Sequence, residues 1–161
     1  MITIPEYQQM LALEQEIVHA QTAEMTEEEF LMQPTPGGNC MLWVLAHLAD
    51  NLREIQKALG ADPLQGTEIL DRFKRGSEPV RSPEPGLPSG AEVLAVYDRL
   101  HQALTTRLSA MTPKDFDEQI SMHGSQARRG WAAFFYIFHH SYHVGQLEYL
   151  RNLAGHTEKI I

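Results

Sequence analysis

Apolar residues recur at helical spacing in four stretches of the chain. The first, from about Pro5 to Ala23, places Tyr7, Met10, Leu11, Ile17 and Val18 on one side, although Glu14 and Gln21 fall near the same face. Pro5 suits the first turn of a helix. The second stretch runs from about Cys40 to Leu59, with Asn39 as its expected N-cap and Gly60 as its stop. The third, from about Ser89 to Ala110, keeps Val93, Val96, Tyr97, Leu100, Leu104 and Leu108 in register. The fourth spans about Trp131 to Ala154 and stops at Gly155. Its first half is apolar nearly all round (Trp131, Phe134, Phe135, Ile137, Phe138), which predicts the most buried helix of the set. The pattern predicts an all-α protein, a four-helix bundle forming one domain over residues 1–161.

The connections refine this. Residues 60–88 are rich in Pro and Gly, too long a stretch for a tight helical hairpin, so helices two and three can run parallel across a long crossover. A short helical turn is expected near Ile69–Lys74, and residues 123–130 read as a flexible polar loop. Met25-Thr26-Glu27-Glu28-Glu29-Phe30 and Met111-Thr112-Pro113-Lys114-Asp115-Phe116 echo each other. Each sets a Thr cap three residues before an acid and leads into a histidine-bearing helix. Two readings stand: two independent good helix starts, or two helical hairpins related by a pseudo-two-fold axis.

Composition narrows the function classes. The formal charge of −8 argues against nucleic acid, whose phosphates need a concentrated basic surface. Cys40 is the only cysteine, so no intrachain disulfide can form, which suits the cytoplasm. No signal-peptide pattern is visible near Ile2–Glu6, and no run of about 18 apolar residues would span a membrane.

The chemistry lies in the eight histidines. His139 and His143 are four apart on the fourth helix, about 40° apart around its axis and about 6 Å along it, so both rings can address one ion. His140 lies about 100° away and cannot easily join them. A third ligand must come from elsewhere. His47 sits in the apolar run Leu42-Trp43-Val44-Leu45-Ala46-His47-Leu48, where an isolated imidazole would need partners for both ring nitrogens. A thermolysin-like zinc site is disfavoured, because His140 stands where the catalytic Glu would be.

The segment Asn39–Leu48 resembles the second-helix motif of the DinB-like superfamily. The segment from His139 through Gln146 to Gly155 is similar to its last-helix motif. The resemblance implies an up-down-down-up bundle, often a homodimer, with His47, His139 and His143 as ligands of one divalent metal. It also implies either a thiol transferase or isomerase using a low-molecular-weight thiol cosubstrate, or a protein of no known activity.

Three neutral imidazoles leave an ion its full charge and an open position, where water or a thiol becomes a nucleophile at neutral pH. Zn²⁺ is the default for such a set, with Ni²⁺, Fe²⁺ and Mn²⁺ also compatible. Asp50 and Gln146, each three residues beyond a ligand, are candidates to orient the rings. Trp43 and Tyr136 are candidates to wall a substrate pocket, and His123 a weaker candidate proton carrier over the site. Tyr142 reads as packing, Cys40 as structural, and His19, His101 and His156 as ordinary histidines. The expected function is thus a metal-dependent transferase or hydrolase acting on a small molecule. The competing reading is a non-catalytic, stress-associated metal-binding bundle.

Overall fold

The computed structural model describes residues 2–35 and 37–160; Met1, Pro36 and Ile161 lie outside them. The four long helices are α1 (Ile4–Thr22), α3 (Met41–Ala58), α4 (Gly90–Ser109) and α6 (Arg129–Leu153). Two short helices, α2 (Glu27–Phe30) and α5 (Pro113–Asp117), precede α3 and α6. A 3-10 helix, Glu68–Phe73, sits inside the crossover where a short turn was expected.

Local chemistry sets most helix starts. Thr3 with Glu6, Thr26 with Glu29 and Ser89 with Glu92 each form a reciprocal capping box, satisfying orphan N–H groups at the first turn. At α5 the Asp115 carboxylate accepts from the Thr112 N–H at 2.6 Å. The start of α3 differs from expectation. Cys40, not Asn39, is the N-cap, because the Cys40 carbonyl accepts the first helical bond from the Val44 N–H, and no side chain caps this end. Gly60 (φ 66°) and Gly155 (φ 98°) adopt the left-handed conformation just past α3 and α6, as stop residues do.

Cross-helix hydrogen bonds give the course of the chain. The Tyr7 hydroxyl, near the start of α1, donates to the Ala133 carbonyl near the start of α6. Arg151, near the end of α6, donates to the Ala23 carbonyl just past α1. Hence α1 and α6 are parallel. Arg107 at the end of α4 donates to the Leu59 carbonyl just past α3, so α3 and α4 are parallel too. Arg129 at the start of α6 donates to the Ala58 carbonyl at the end of α3, so these two are antiparallel. The course is up-down-down-up, and the crossover of residues 60–88 makes it possible. Each helix packs on two others, α3 on α4 and α6, α1 on α6 and α4. Exchanging α1 with α4 and α3 with α6 maps this pattern onto itself. That symmetry of contacts is what a pseudo-two-fold axis relating the halves α1–α3 and α4–α6 would give, with α3 and α6 meeting across it.

Two expectations need correction. The most buried helix is α3, not α6: fourteen of its eighteen residues are buried. On α6 the aromatic residues Trp131, Phe134, Phe135, Phe138, Tyr142 and Tyr149 are exposed, Phe138 at 62% and Tyr142 at 65%. All-round hydrophobicity on this helix reflects one face on the core and another facing out. Nor is the stretch 123–130 a loop. Strands β1 (Gln119–Met122) and β2 (Ser125–Arg128) pair antiparallel, Met122 opposite Ser125. The two-residue turn, His123 (φ 49°) and Gly124 (φ 81°), has positive φ at both positions, the conformation whose twist matches a hairpin.

Candidate metal centre

The three predicted histidines meet at one point. One ring nitrogen each from His47, His139 and His143 lies within 4.8 Å of the others. The Nε2 atoms of His47 and His139 are 3.4 Å apart. Two nitrogens bound to one tetrahedral ion at the usual ~2.0–2.1 Å would stand about 3.3–3.4 Å apart, so this pair already has the spacing. His47 is buried, and His139 and His143 half-buried.

Two of the rings are oriented by hydrogen bonds at the nitrogen facing away from the cluster. His47 Nδ1 donates to the Phe73 carbonyl at 2.8 Å, and His143 Nδ1 donates to Gln146 Oε1 at 2.7 Å. A carbonyl oxygen only accepts, so each Nδ1 carries the proton and each Nε2 lone pair is left for the cluster. Trp43 stacks on His47 with ring centroids 4.9 Å apart, and its indole N–H donates to Ser77 Oγ. All three imidazoles are held neutral, as a ligand must be. Burial depresses each, and for His139, pushed down to about 4, the neighbouring His143 and His47 add to it. The donor set, its spacing and its protonation all fit a divalent transition ion.

A cavity of about 310 Å³ opens onto His47 and His139. Phe135 and Tyr136 form its apolar wall, Asp50, Asn51 and Glu54 lie on α3, Lys74 and Arg75 follow the 3-10 helix, and His123 comes from the hairpin turn. Of the other predicted residues, Tyr136 and His123 therefore line this cavity, His123 packing edge-on against Phe135. Trp43 does not line it; its ring is buried behind His47. Asp50 lines the cavity but accepts from Arg53 at 3.1 Å rather than from a cluster imidazole. Burial raises the Asp50 carboxyl, and Arg53 draws it back.

The family model of the DinB superfamily matches residues 10–147, a span that holds all three histidines and about six-sevenths of the chain. The chain belongs to the DinB superfamily. No curated protein matches it. Among solved structures, a conserved protein from Enterococcus faecalis superposes with a TM-score of 0.73 at 18% identity, covering 95% of this chain and 97% of its own. YfiT from Bacillus subtilis, described as a probable metal-dependent hydrolase with an unusual four-helix bundle topology, superposes with a TM-score of 0.68 at 18% identity, covering 96% and 91%. These likenesses show the fold. Within it, two features escaped the sequence reading. One is the Phe73 carbonyl, because backbone groups leave no mark on residue type. The other is a buried polar group beside the cluster, centred on His140 of α6. There Asn51 Nδ2 donates to His140 Nδ1 at 3.3 Å, and His140 Nε2 faces the Tyr97 hydroxyl at 3.1 Å. Ser141 hydrogen-bonds to Glu14. Glu14 and His140 are 4.0 Å apart but are not an ion pair: burial pushes Glu14 up to about 8 and His140 down to about 3, so both are neutral between. The displaced Glu14 on the apolar stripe of α1 was the available signal for this group.

Proposed function

We propose that this chain is a metal-dependent enzyme that holds one divalent ion, Zn²⁺ or Ni²⁺, on His47, His139 and His143. Its reaction is hydrolysis of a small molecule or transfer of a low-molecular-weight thiol to one. The observation that carries this reading is the convergence of three neutral ring nitrogens, two of them on rings that line a cavity large enough for a metabolite. When bound, such an ion lowers the pKa of water or of a thiol and so supplies a nucleophile near neutral pH. The chain's own groups do the rest. Phe73 and Gln146 fix the tautomers of His47 and His143, Phe135 and Tyr136 exclude water, and His123 stands at the rim as a proton carrier. The buried, unpaired Cys40 fits a reducing compartment, which we take to be the cytoplasm, and no described helix is long and apolar enough to cross a membrane.

The purified protein is expected to hold about one metal per chain. Hydrolysis of activated esters or amides, or conjugation of thiols to electrophiles, should disappear on chelation and return with the metal. Loss of thermal stability on chelation, with no turnover over such a panel, would replace the enzyme by a metal-binding bundle.

The partner we propose is a second copy. Trp131, Phe134, Phe135, Phe138, Tyr142 and Tyr149 fall within about 100° of one another around α6 and along about 27 Å of it. At ~200 Å² per aromatic residue, their exposed fractions amount to about 600 Å², most of the ~800 Å² each partner gives to a standard interface. Gly145 interrupts the stripe with open space above it, room for close approach of another helix. Light scattering should give twice the chain mass, and Phe138→Asp should return the monomer; a monomeric wild type would remove the proposal.

A further inference from the structure

The crossover brings more than the Phe73 carbonyl to the site. Two residues later, Arg75 lines the same cavity as His47 and His139. The other cations around it are neutralised. Arg53 bridges Asp50 and Asp71, Lys74 pairs with Asp71 at 3.2 Å, and Arg72 pairs with Glu84. Among the described residues Arg75 has no such partner, and its charge is felt at His139, whose protonation it opposes. A guanidinium offers a fork of donors that matches a carboxylate in two parallel hydrogen bonds. Left open at a cavity mouth, it has its donors free for a ligand.

Resting on the metal site proposed above, we propose that Arg75 binds the anionic end of the substrate, a small molecule carrying a carboxylate on one side and its reacting group on the other. The cavity sets the scale: about 310 Å³ holds a metabolite and not a peptide. Its chemistry sets the orientation. The carboxylate lies at Arg75, the apolar middle runs along Phe135 and Tyr136, and the reacting group reaches the histidine floor. Glu54, on the α3 side of the same cavity, repels an anion from that wall and leaves Arg75 as its seat.

The probe is a pair of simple carboxylates on cobalt-loaded protein, read by the visible absorption of Co²⁺ held on the three imidazoles. Acetate has one carboxylate for the ion. Succinate has a second to offer to Arg75. Succinate is expected to bind at least about tenfold more tightly than acetate, the scale of a charge-assisted hydrogen bond. Arg75→Gln should abolish that advantage while leaving acetate unchanged, and Arg75→Lys should restore part of it. Arg75 is exposed, so neither variant disturbs the core. Equal affinities in the wild type, or an advantage that survives Arg75→Gln, overturn the assignment of Arg75 while leaving the metal site standing. Failure to take up cobalt at all overturns the metal site and the assignment with it.

Discussion

His47→Ala should leave the protein essentially free of metal. Removing a residue that only orients a ligand lowers metal affinity by ~10–100-fold, so deleting a ligand of a three-nitrogen set should cost at least the upper end of that range. The change also strips the Phe73 carbonyl of its donor and opens a gap beside Trp43, a stability loss of about 1–3 kcal/mol. His143→Ala separates the two effects. His143 is half-buried and bonded to Gln146 beside it on the same helix, so its loss should empty the site with little change in unfolding midpoint. His19→Ala, on the outer face of α1, should retain full metal content. Metal analysis with a chemical melt on each variant decides; a His143→Ala protein that still holds one ion per chain would exclude the three-histidine site.

Glu14→Gln should stabilise the metal-free protein at alkaline pH and change nothing in acid. Glu14 is 2% exposed, one carboxyl oxygen has no partner, and burial raises its folded pKa from 4.5 to about 8. The folded state thus holds a proton that the unfolded chain releases at lower pH. The stability this contributes is complete below about pH 4.5, falls as pH rises through the window, and is gone above about 8. At ~1.4 kcal/mol per unit, the difference across the window is roughly 3–5 kcal/mol. Gln keeps the shape, carries no charge, and its Oε1 can accept from Ser141 as the Glu14 carboxyl does. Denaturant melts at pH 4 and pH 9 should show the two proteins equal at the first and the variant ahead at the second. His140 and the cluster histidines, which burial holds below their usual range, are common to both proteins, so the quantity read is the difference between variant and wild type at each pH. Equal slopes with pH in both proteins would mean that Glu14 is not protonated in the fold.

The helices were legible because their information is local: an apolar stripe of period 3.6, a Thr or Ser cap with an acid three residues on, a glycine at the stop. The candidate ligands were legible for a related reason. The spacing of His139 and His143 fixes a shared face, and His47 stood inside the apolar run Leu42–Leu48. What stayed hidden depends on distant partners. The aromatic face of α6 has the same composition whether it meets the core or another chain, and only the packing of the opposite face separates the cases. The hairpin was obscured because its strands are only four residues long: Gln119–Met122 alternates polar and apolar, but Ser125–Arg128 does not. Its one clue was the His123-Gly124 pair, a turn signal of the Asn-Gly kind. Asp50 was favoured over a backbone carbonyl because sequence displays carboxylates and conceals carbonyls.

The crossover that lets α3 and α4 run side by side also carries Phe73 and Arg75 to the cavity, and the hairpin carries His123. The histidines stand on packed helices, whereas Arg75 and His123 stand exposed on segments that connect them. Surface connections tolerate insertion and replacement far better than core elements do. Grafting a different crossover or hairpin could therefore retarget the cavity to another ligand while the helical frame stays fixed, which makes this architecture a practical starting point for engineered selectivity.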